Sequence, residues 1–354
     1  MQHLDFALID PHIHQWDPYS TPHAAALAVK LLGKHPKLLD KMVRLVKPKD
    51  LIETIGLTRH ITRPYLPHDY KRDTGPYTVE QVVHVEASWH HSKGKGVVEE
   101  TQFIESLAFG VDTVKLGGIV ATADPRDRNF KKILKLHHKA SPHFRGIRKM
   151  ASFHEDKQIH AWTDEPQLYR NKKFLKGFEV LSQYNLSFDA WVYSTQLEDV
   201  IYLAKQFPET SIVLDHLGTP AGLFGPIGAN TGMTQTAREN IFFRWKDDLA
   251  ELASCPNVYT KMSGLFMPVL GHRFHKEGRL ASKQEVFDLA HPMITHALAC
   301  FGTYRVMFAS NFPMDSVSTS LINIIDALSD VVAAYDPDAL ERVFHHNAKQ
   351  FYRL

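Results

Sequence analysis

Residues 7–18 read ALIDPHIHQWDP, a short apolar run that leads into Asp10, His12 and His14. Alternate residues of a β-strand point to the same face, so these three side chains project together from the carboxyl end of a strand. Trp16 and the Asp-Pro pair after it then end the strand. Two adjacent imidazoles suit a metal site or a pair of hydrogen-bond donors to an oxyanion, and both interpretations stay open at this point.

The same rhythm, an apolar run followed by helical periodicity, recurs along the rest of the chain. The further predicted strands are residues 82–86, 113–118, 144–148, 186–192, 211–218, 258–264 and 305–313. Strands that alternate with helices form a parallel sheet, and eight such units close into a (β/α)8 TIM barrel. We therefore predict an α/β fold with residues 1–354 as one domain.

The segment 23–56 separates the first two strands. Apolar residues recur at helical spacing on both sides of Pro36, which predicts two amphipathic helices. We expect a helical insertion that acts as a lid over the barrel or as a contact in a homodimer.

Composition excludes several classes of partner. The chain has 354 residues, of which 44% are hydrophobic, and its 41 Lys and Arg nearly balance 39 Asp and Glu. Such a balance gives no reason to expect nucleic acid or a membrane surface as partner. With only Cys255 and Cys300 there is no disulfide framework, and the first residues lack a signal-peptide pattern. We expect a cytoplasmic protein that acts on a small molecule.

All eight predicted strands finish in polar groups, and in a TIM barrel these ends form the rim that carries the active site. The candidates are His12, His14, His84, Glu86, Lys115, Arg145, Arg148, Asp189, Trp191, Asp215, His216, Lys261, Ser263, Ser310 and Asn311. The histidines can polarise a carbonyl oxygen, directly or through a metal. The lysines and arginines favour binding of an anionic or oxygen-rich substrate, unless rim carboxylates pair with them. Trp16 and Trp191 can supply flat walls for a ring.

Seven motifs carry a resemblance to the amidohydrolase superfamily, and more closely to its branch of TIM-barrel lactonases. They are DPHIHQWDP (10–18), VVHVEAS (82–88), RGIR (145–148), VLDHLGTP (213–220), PNVYTKMSGL (256–265), MFASNFPMD (307–315) and HHNAKQFYRL (345–354). They follow the order of that family across almost the whole chain.

The resemblance implies hydrolysis of a cyclic ester, as in pyrone-dicarboxylate lactonase and the sugar-lactone hydrolases. It implies that His12, His14 and His216 hold and polarise the lactone carbonyl. It also implies that Arg148 and Arg145 bind substrate carboxylates or hydroxyls, and Lys115, Lys261 and the two tryptophans join them as candidate binding residues.

One position departs from the pattern of this branch. Asn311 stands where the lactonases usually carry an aspartate that activates water, and an amide cannot accept a proton as a general base. The base then comes from Asp315, Glu86 or Asp215, or the nucleophile is a metal-bound water. We favour Asp315, which follows the turn after the last strand.

A metal stays optional at this stage. The fifth strand has no histidine, so the full binuclear set of the superfamily is missing, and His12, His14 and Glu86 remain as ligands for one divalent ion such as zinc. We expect a hydrolase that opens a small anionic or hydroxylated lactone to a hydroxy acid. Two alternatives stay open: a zinc-dependent decarboxylase of the same superfamily, and a non-catalytic binding protein, for which Asn311 is the best support.

Overall fold

The computed structural model describes residues 4–21, 31–32 and 35–354. The first predicted helix of the insertion, residues 24–32, lies mostly outside the described residues. Of the helices that are described, none has both the length and the apolar character needed to cross a bilayer.

Eight parallel strands form one sheet in the order of the chain, which confirms the predicted barrel. They are β1 (Leu8–Ile13), β2 (Val79–Val85), β3 (Lys115–Thr122), β4 (Phe144–Arg148), β5 (Ser187–Ala190), β6 (Ile212–Leu214), β7 (Val258–Met262) and β8 (Val306–Phe308). A parallel bridge between Ile13 and Phe312 brings the last strand end back to the first. Every residue of β1 is buried, as expected for a strand covered on both faces.

Helices follow or separate the strands on the outside of the barrel. The α-helices are α1 (Pro36–Val46), α2 (Lys49–Ile55), α3 (Pro67–Asp73), α4 (Val98–Glu105), α5 (Phe130–Ala140), α6 (Lys172–Gln183), α7 (Leu197–Gln206), α8 (Gln235–Ala253), α9 (Phe274–Glu277), α10 (Lys283–Phe301), α11 (Leu321–Tyr335) and α12 (Asn347–Tyr352).

Inside the barrel, side chains of five strands pack into a small apolar cluster with the carboxyl-terminal helix. Ile9, Val83, Val213 and Met307 belong to this cluster, and Phe351 of α12 packs against it. Such filling leaves no pore through the barrel, so a ligand reaches only the ends of the strands.

Two predicted rim residues lie at the wrong end of the barrel. Lys115 is the first residue of β3 and is exposed, because the strand continues through the glycines at 117 and 118 to Thr122. The prediction took that glycine pair as the end of the strand. Arg145 lies in the first half of β4 and donates to the carbonyl of Pro142, 2.7 Å away. Neither side chain reaches the carboxyl-end rim, so both predictions were wrong.

The described part of the insertion lies over that rim. Leu39 and Val43 of α1 and Ile52 and Ile55 of α2 form a buried cluster, against which Met314 from the loop after β8 packs. The apolar face of the insertion thus rests on the carboxyl-end loops of the barrel, where a lid would sit.

Candidate active site

A buried ionic network forms the base of the site. Lys261 Nζ lies 2.5 Å from Asp189 Oδ2 and 3.0 Å from Asp215 Oδ1. Arg148 Nε lies 2.8 Å from Glu86 Oε1, and its NH1 lies 3.4 Å from Asp215 Oδ2. These five side chains come from the ends of five strands, and each is almost wholly shielded from solvent. Charges so deep in the protein are stable only as partners of one another.

The pKa shifts of the carboxyl groups follow from this pairing. Burial raises the pKa of the Asp215 carboxyl, but the Lys261 ammonium outweighs it and holds that pKa well below its usual range. Burial likewise raises the pKa of Glu86, and the Arg148 guanidinium brings it below the usual value. At Asp189 burial prevails over Lys261 and raises the pKa to about 6. Glu86 and Asp215 are therefore ionised at neutral pH.

His12 lies at the centre of the network. Its Nδ1 is 3.2 Å from both Asp215 Oδ1 and Lys261 Nζ, and its Nε2 is 3.4 Å from Arg148 NH1. The ring has no solvent exposure, and burial lowers its pKa well below the usual value. The neutral His12 ring supports Arg148 from beneath the pocket floor and does not itself line the pocket.

His14 points upward from the same strand. Its Nδ1 lies 2.8 Å from the Val85 carbonyl oxygen, which can only accept, so Nδ1 carries the hydrogen. Burial lowers the pKa of His14 to about 3, and the neutral ring therefore has its lone pair on Nε2. That atom lies 3.3 Å from Asn311 Oδ1, and Asn311 Nδ2 lies 2.8 Å from Asp315 Oδ1.

The Asn311 side-chain amide can adopt two orientations, and each matches a different protonation of His14 and Asp315. When the amide oxygen faces His14, it can accept from a protonated imidazole, while the NH2 group donates to an ionised Asp315. Half a turn about χ2 directs the NH2 group to a neutral His14 and the oxygen to a protonated Asp315. Burial raises the pKa of Asp315 to about 7, which favours the second arrangement below that pH. With the pKa of His14 at about 3 and that of Asp315 at about 7, the proton of this hydrogen-bonded trio resides on Asp315 below pH 7.

His216 completes the floor directly after β6. Its Nδ1 lies 2.8 Å from Ser263 Oγ, and its ring centroid lies 4.6 Å from that of His12. Burial lowers its pKa to about 3, so this imidazole is neutral as well. Gly264 is required beside it, because a Cβ there would collide with the imidazole ring.

Two of the floor residues have a left-handed backbone. His216 and Asn311 both have φ near 57°, a region that few residues other than glycine adopt. Residues held in such conformations concentrate at functional sites, where the surrounding structure keeps them in place.

A pocket opens above these groups, with about 1100 Å³ of space including the part open to solvent. Its floor consists of His14, Glu86, Arg148, His216 and Asn311. Its walls are mainly apolar and come from Trp16, Val43, Leu51, Ile52, Ile55, Ile61, Met150, Trp162, Trp191, Met267 and Met314. Such a pocket, apolar with a few convergent polar groups, is the usual form of a small-molecule site.

The structure brings together most of the predicted site residues, at different depths. His14, Arg148, His216, Asn311, Trp16 and Trp191 line the pocket. His12 and Lys261 lie beneath the floor, and Asp315 lies behind Asn311. The Arg148 guanidinium stacks on the Trp191 ring, 5.4 Å from its centroid, so this tryptophan is both wall and support.

Several wall residues were missed by the sequence analysis. Met150 and Trp162 lie in the loop after β4, Met267 lies after β7, and Met314 lies after β8. None of them carries a charged group or a periodic pattern that could have singled it out. The reason is physical: a pocket wall gathers side chains from loops that are far apart in the sequence.

One group of metal-ligand atoms occurs among the described residues. Atoms of His12, Asp215 and His216 lie within 4.8 Å of one another. The Lys261 ammonium nevertheless lies beside two of these three ligands, 3.0 Å from Asp215 Oδ1 and 3.2 Å from His12 Nδ1. A divalent ion there would have to displace a buried cation from its carboxylates, so these donors do not fit a metal.

The ligand set expected from the sequence joins Glu86 to His12 and His14. In the structure both Glu86 oxygens already have partners. Oε1 accepts from Arg148, and Oε2 accepts from the Thr122 hydroxyl, 3.1 Å away.

Comparison with known proteins now gives the family. The profile of the family described as amidohydrolase matches residues 9–354. This chain belongs to the amidohydrolase family. An uncharacterized protein, y4mH, of Sinorhizobium fredii is 30% identical to this amidohydrolase over 353 residues, 99% of each chain. An L-fucono-1,5-lactonase of Burkholderia ambifaria is 28% identical over 60% of this chain and 62% of its own length.

The fold has a solved counterpart. A crystal structure of an amidohydrolase from Burkholderia multivorans with bound zinc superimposes on this amidohydrolase with a TM-score of 0.70. The two chains are 19% identical, and the match covers 99% of this chain and all of the other. At that identity the likeness establishes the shared fold alone.

Asp315 makes stability depend on pH in this amidohydrolase. Its folded pKa of about 7 exceeds the usual 3.8, so the folded protein keeps a proton that the unfolded chain releases. We expect the free energy of unfolding to fall by on the order of 4 kcal/mol as pH rises from about 4 to about 7. Asp315→Asn can keep the hydrogen bond with Asn311 and the one that the Phe266 backbone N–H donates to Oδ2 at 3.2 Å, and it should remove this loss.

Urea unfolding of both proteins across that pH range is the measurement. Asp247→Asn, at an exposed position, is the matched control and should keep the wild-type pH dependence. Parallel pH curves for wild type and Asp315→Asn would contradict the assignment of a protonated carboxyl at this site.

Proposed function

We propose that this amidohydrolase opens a lactone ring by attack of water on a carbonyl polarised at the pocket floor, without a resident metal. The supporting observation is the floor itself, where neutral imidazoles and one guanidinium converge under an apolar pocket. The lactonase name of a partial relative supports the same reaction class.

Arg148 is the principal group for polarising the carbonyl. Its Nε and NH2 donate to the side chain and backbone oxygens of Glu86, at 2.8 and 2.9 Å, and its NH1 faces His12 and Asp215. One NH2 hydrogen is left for the pocket. A permanent cation fixed in this way stabilises the negative charge that forms on the carbonyl oxygen, at no cost of reorganisation. His216, with Nδ1 bound to Ser263, offers Nε2 as the second polar contact.

His14 takes the proton of the attacking water. Its Nε2 lone pair lies at the pocket floor, and the Asn311 amide beside it can orient the water. When His14 becomes protonated, the amide turns its oxygen to the new N–H and its NH2 group donates to an Asp315 oxygen, while the protonation of Asp315 stays as it was. Asp315 thus acts through Asn311, because its own oxygens do not line the pocket.

The steps balance without a further reactant. The water oxygen forms a bond to the carbonyl carbon, and the ring C–O bond breaks as the tetrahedral intermediate collapses. His14 returns the proton to the ring oxygen that leaves, so the product is a hydroxy acid. At neutral pH that acid ionises and releases one proton to solvent per turnover.

The test is a panel of five- and six-membered lactones, with proton release followed by an indicator dye. We expect turnover of at least one lactone by the purified protein, well above the spontaneous rate. Absence of turnover for every lactone across the pH range in which the protein stays folded would refute the proposed function.

A further inference from the structure

Resting on the proposed lactone hydrolysis, we infer that the substrate is a lactone with an apolar body, an alkyl- or aryl-substituted ring, and not a polyhydroxylated sugar lactone. The observation behind this is the chemistry of the pocket walls. Charged and polar residues dominate the floor, whereas the space that receives the rest of the substrate is enclosed by hydrocarbon, thioether and indole side chains.

Most polar atoms within these walls already have hydrogen-bond partners. The Trp16 indole N–H donates to the Arg63 carbonyl at 2.8 Å, and the Trp191 indole N–H donates to Thr219 Oγ1 at 3.0 Å. The Thr54 hydroxyl donates to the Asp50 carbonyl at 2.9 Å. These groups stabilise the walls and offer little to a hydroxyl of the substrate.

Few other polar side chains line the walls. Among the described residues around the pocket, the polar groups that belong neither to the floor nor to these internal bonds are Lys47, Ser88 and the indole N–H of Trp162. A six-membered sugar lactone brings three or four hydroxyls besides the reacting ester. Each hydroxyl buried without a partner would weaken binding by about tenfold or more.

Methionine and isoleucine side chains make the pocket walls complementary to an apolar substrate. Met150, Met267 and Met314 enter the pocket from three different loops, and Ile52 and Ile55 enter from α2. Methionine adapts to varied apolar shapes and packs well against aromatic rings. A lactone that carries an alkyl chain or a fused ring would cover these side chains and displace water from them.

The first test compares two six-membered lactones with the same reacting group, δ-octanolactone and D-glucono-1,5-lactone. We expect kcat/KM for the alkyl lactone to be at least tenfold higher after subtraction of spontaneous hydrolysis. A preference for the sugar lactone would overturn this inference and leave the proposed function standing. No turnover of either lactone, or of any other in the panel, would refute the proposed function itself.

The second test changes wall polarity at nearly constant volume. Met150→Gln and Met314→Gln, both at half-buried wall positions, should lower the ratio of kcat/KM for δ-octanolactone to kcat/KM for the sugar lactone about tenfold. Met233→Gln, at an exposed position outside the pocket lining, should change neither. Equal losses with both substrates would show that the two methionines act through packing, which contradicts direct contact with the substrate.

Discussion

Replacement of His216 by asparagine is expected to lower kcat for lactone hydrolysis by about 10²–10³-fold, the usual loss when one preorganised group at a developing oxyanion is removed. His216 lines the pocket floor, and Ser263 Oγ holds its Nδ1 at 2.8 Å, so its Nε2 has one fixed direction. An asparagine side chain is shorter and cannot place a polar atom at the same point.

Asparagine is the right replacement for structural reasons. The backbone at His216 has φ 57°, and asparagine adopts this left-handed region more readily than other non-glycine residues. The variant should therefore fold, and its KM for an apolar lactone should change little, since the walls bind most of the substrate. The measurement is steady-state kinetics of wild type and His216→Asn on the best lactone of the panel.

His138→Asn is the matched control, because His138 is exposed on α5 and distant from the pocket lining. We expect wild-type kinetics for it. A His216→Asn protein that is folded and keeps kcat within threefold of wild type would show that the His216 ring takes no part in the reaction.

Replacement of Lys261 by methionine is expected to destabilise the protein by about 3–5 kcal/mol, the typical cost of leaving a buried charge without its partner. Lys261 Nζ is bound within 3.2 Å of Asp189, Asp215 and His12, and the side chain has no solvent exposure. Methionine fills similar space but removes the charge. Asp215 would then keep Arg148, 3.4 Å from its Oδ2, as a cationic partner, whereas Asp189 would keep the hydrogen bond from the Tyr352 hydroxyl, 2.8 Å from its Oδ2.

Urea unfolding at pH 7 measures this loss, with Lys205→Met as control. Lys205 Nζ lies 3.1 Å from Glu251 Oε1, but both side chains are more than half exposed. Exposed ion pairs contribute about 0–1 kcal/mol, so the control should unfold almost as the wild type does. Similar losses for the two variants would contradict the assignment of Lys261 to a buried network.

The sequence predicts the strands of the barrel better than the position of each side chain in it. The eight apolar runs that alternate with helices follow from strand and helix periodicity, and the eight-stranded parallel sheet confirms the barrel predicted from them. Lys115 was misplaced because a glycine pair resembles a strand end, yet those glycines lie inside β3.

The depth of each site residue could not be read from the sequence. His12 and Lys261 stand at strand ends like His14, but only the packed structure shows that they lie beneath the floor and that His14 lies in it. The partnership of Asp315 with Asn311 depends on the left-handed turn at Asn311, and the apolar walls depend on loops that meet only in the folded chain.

The most direct test of metal-free ring opening is lactone hydrolysis by the protein before and after removal of metals. The protein would be dialysed against a strong chelator, its metal content measured by elemental analysis, and kcat determined on the best lactone. Because Lys261 and Arg148 already neutralise the carboxylates of the floor, we predict an unchanged kcat with far less than one metal ion per chain. Loss of activity on chelation, with recovery on addition of one equivalent of zinc, would contradict this mechanism.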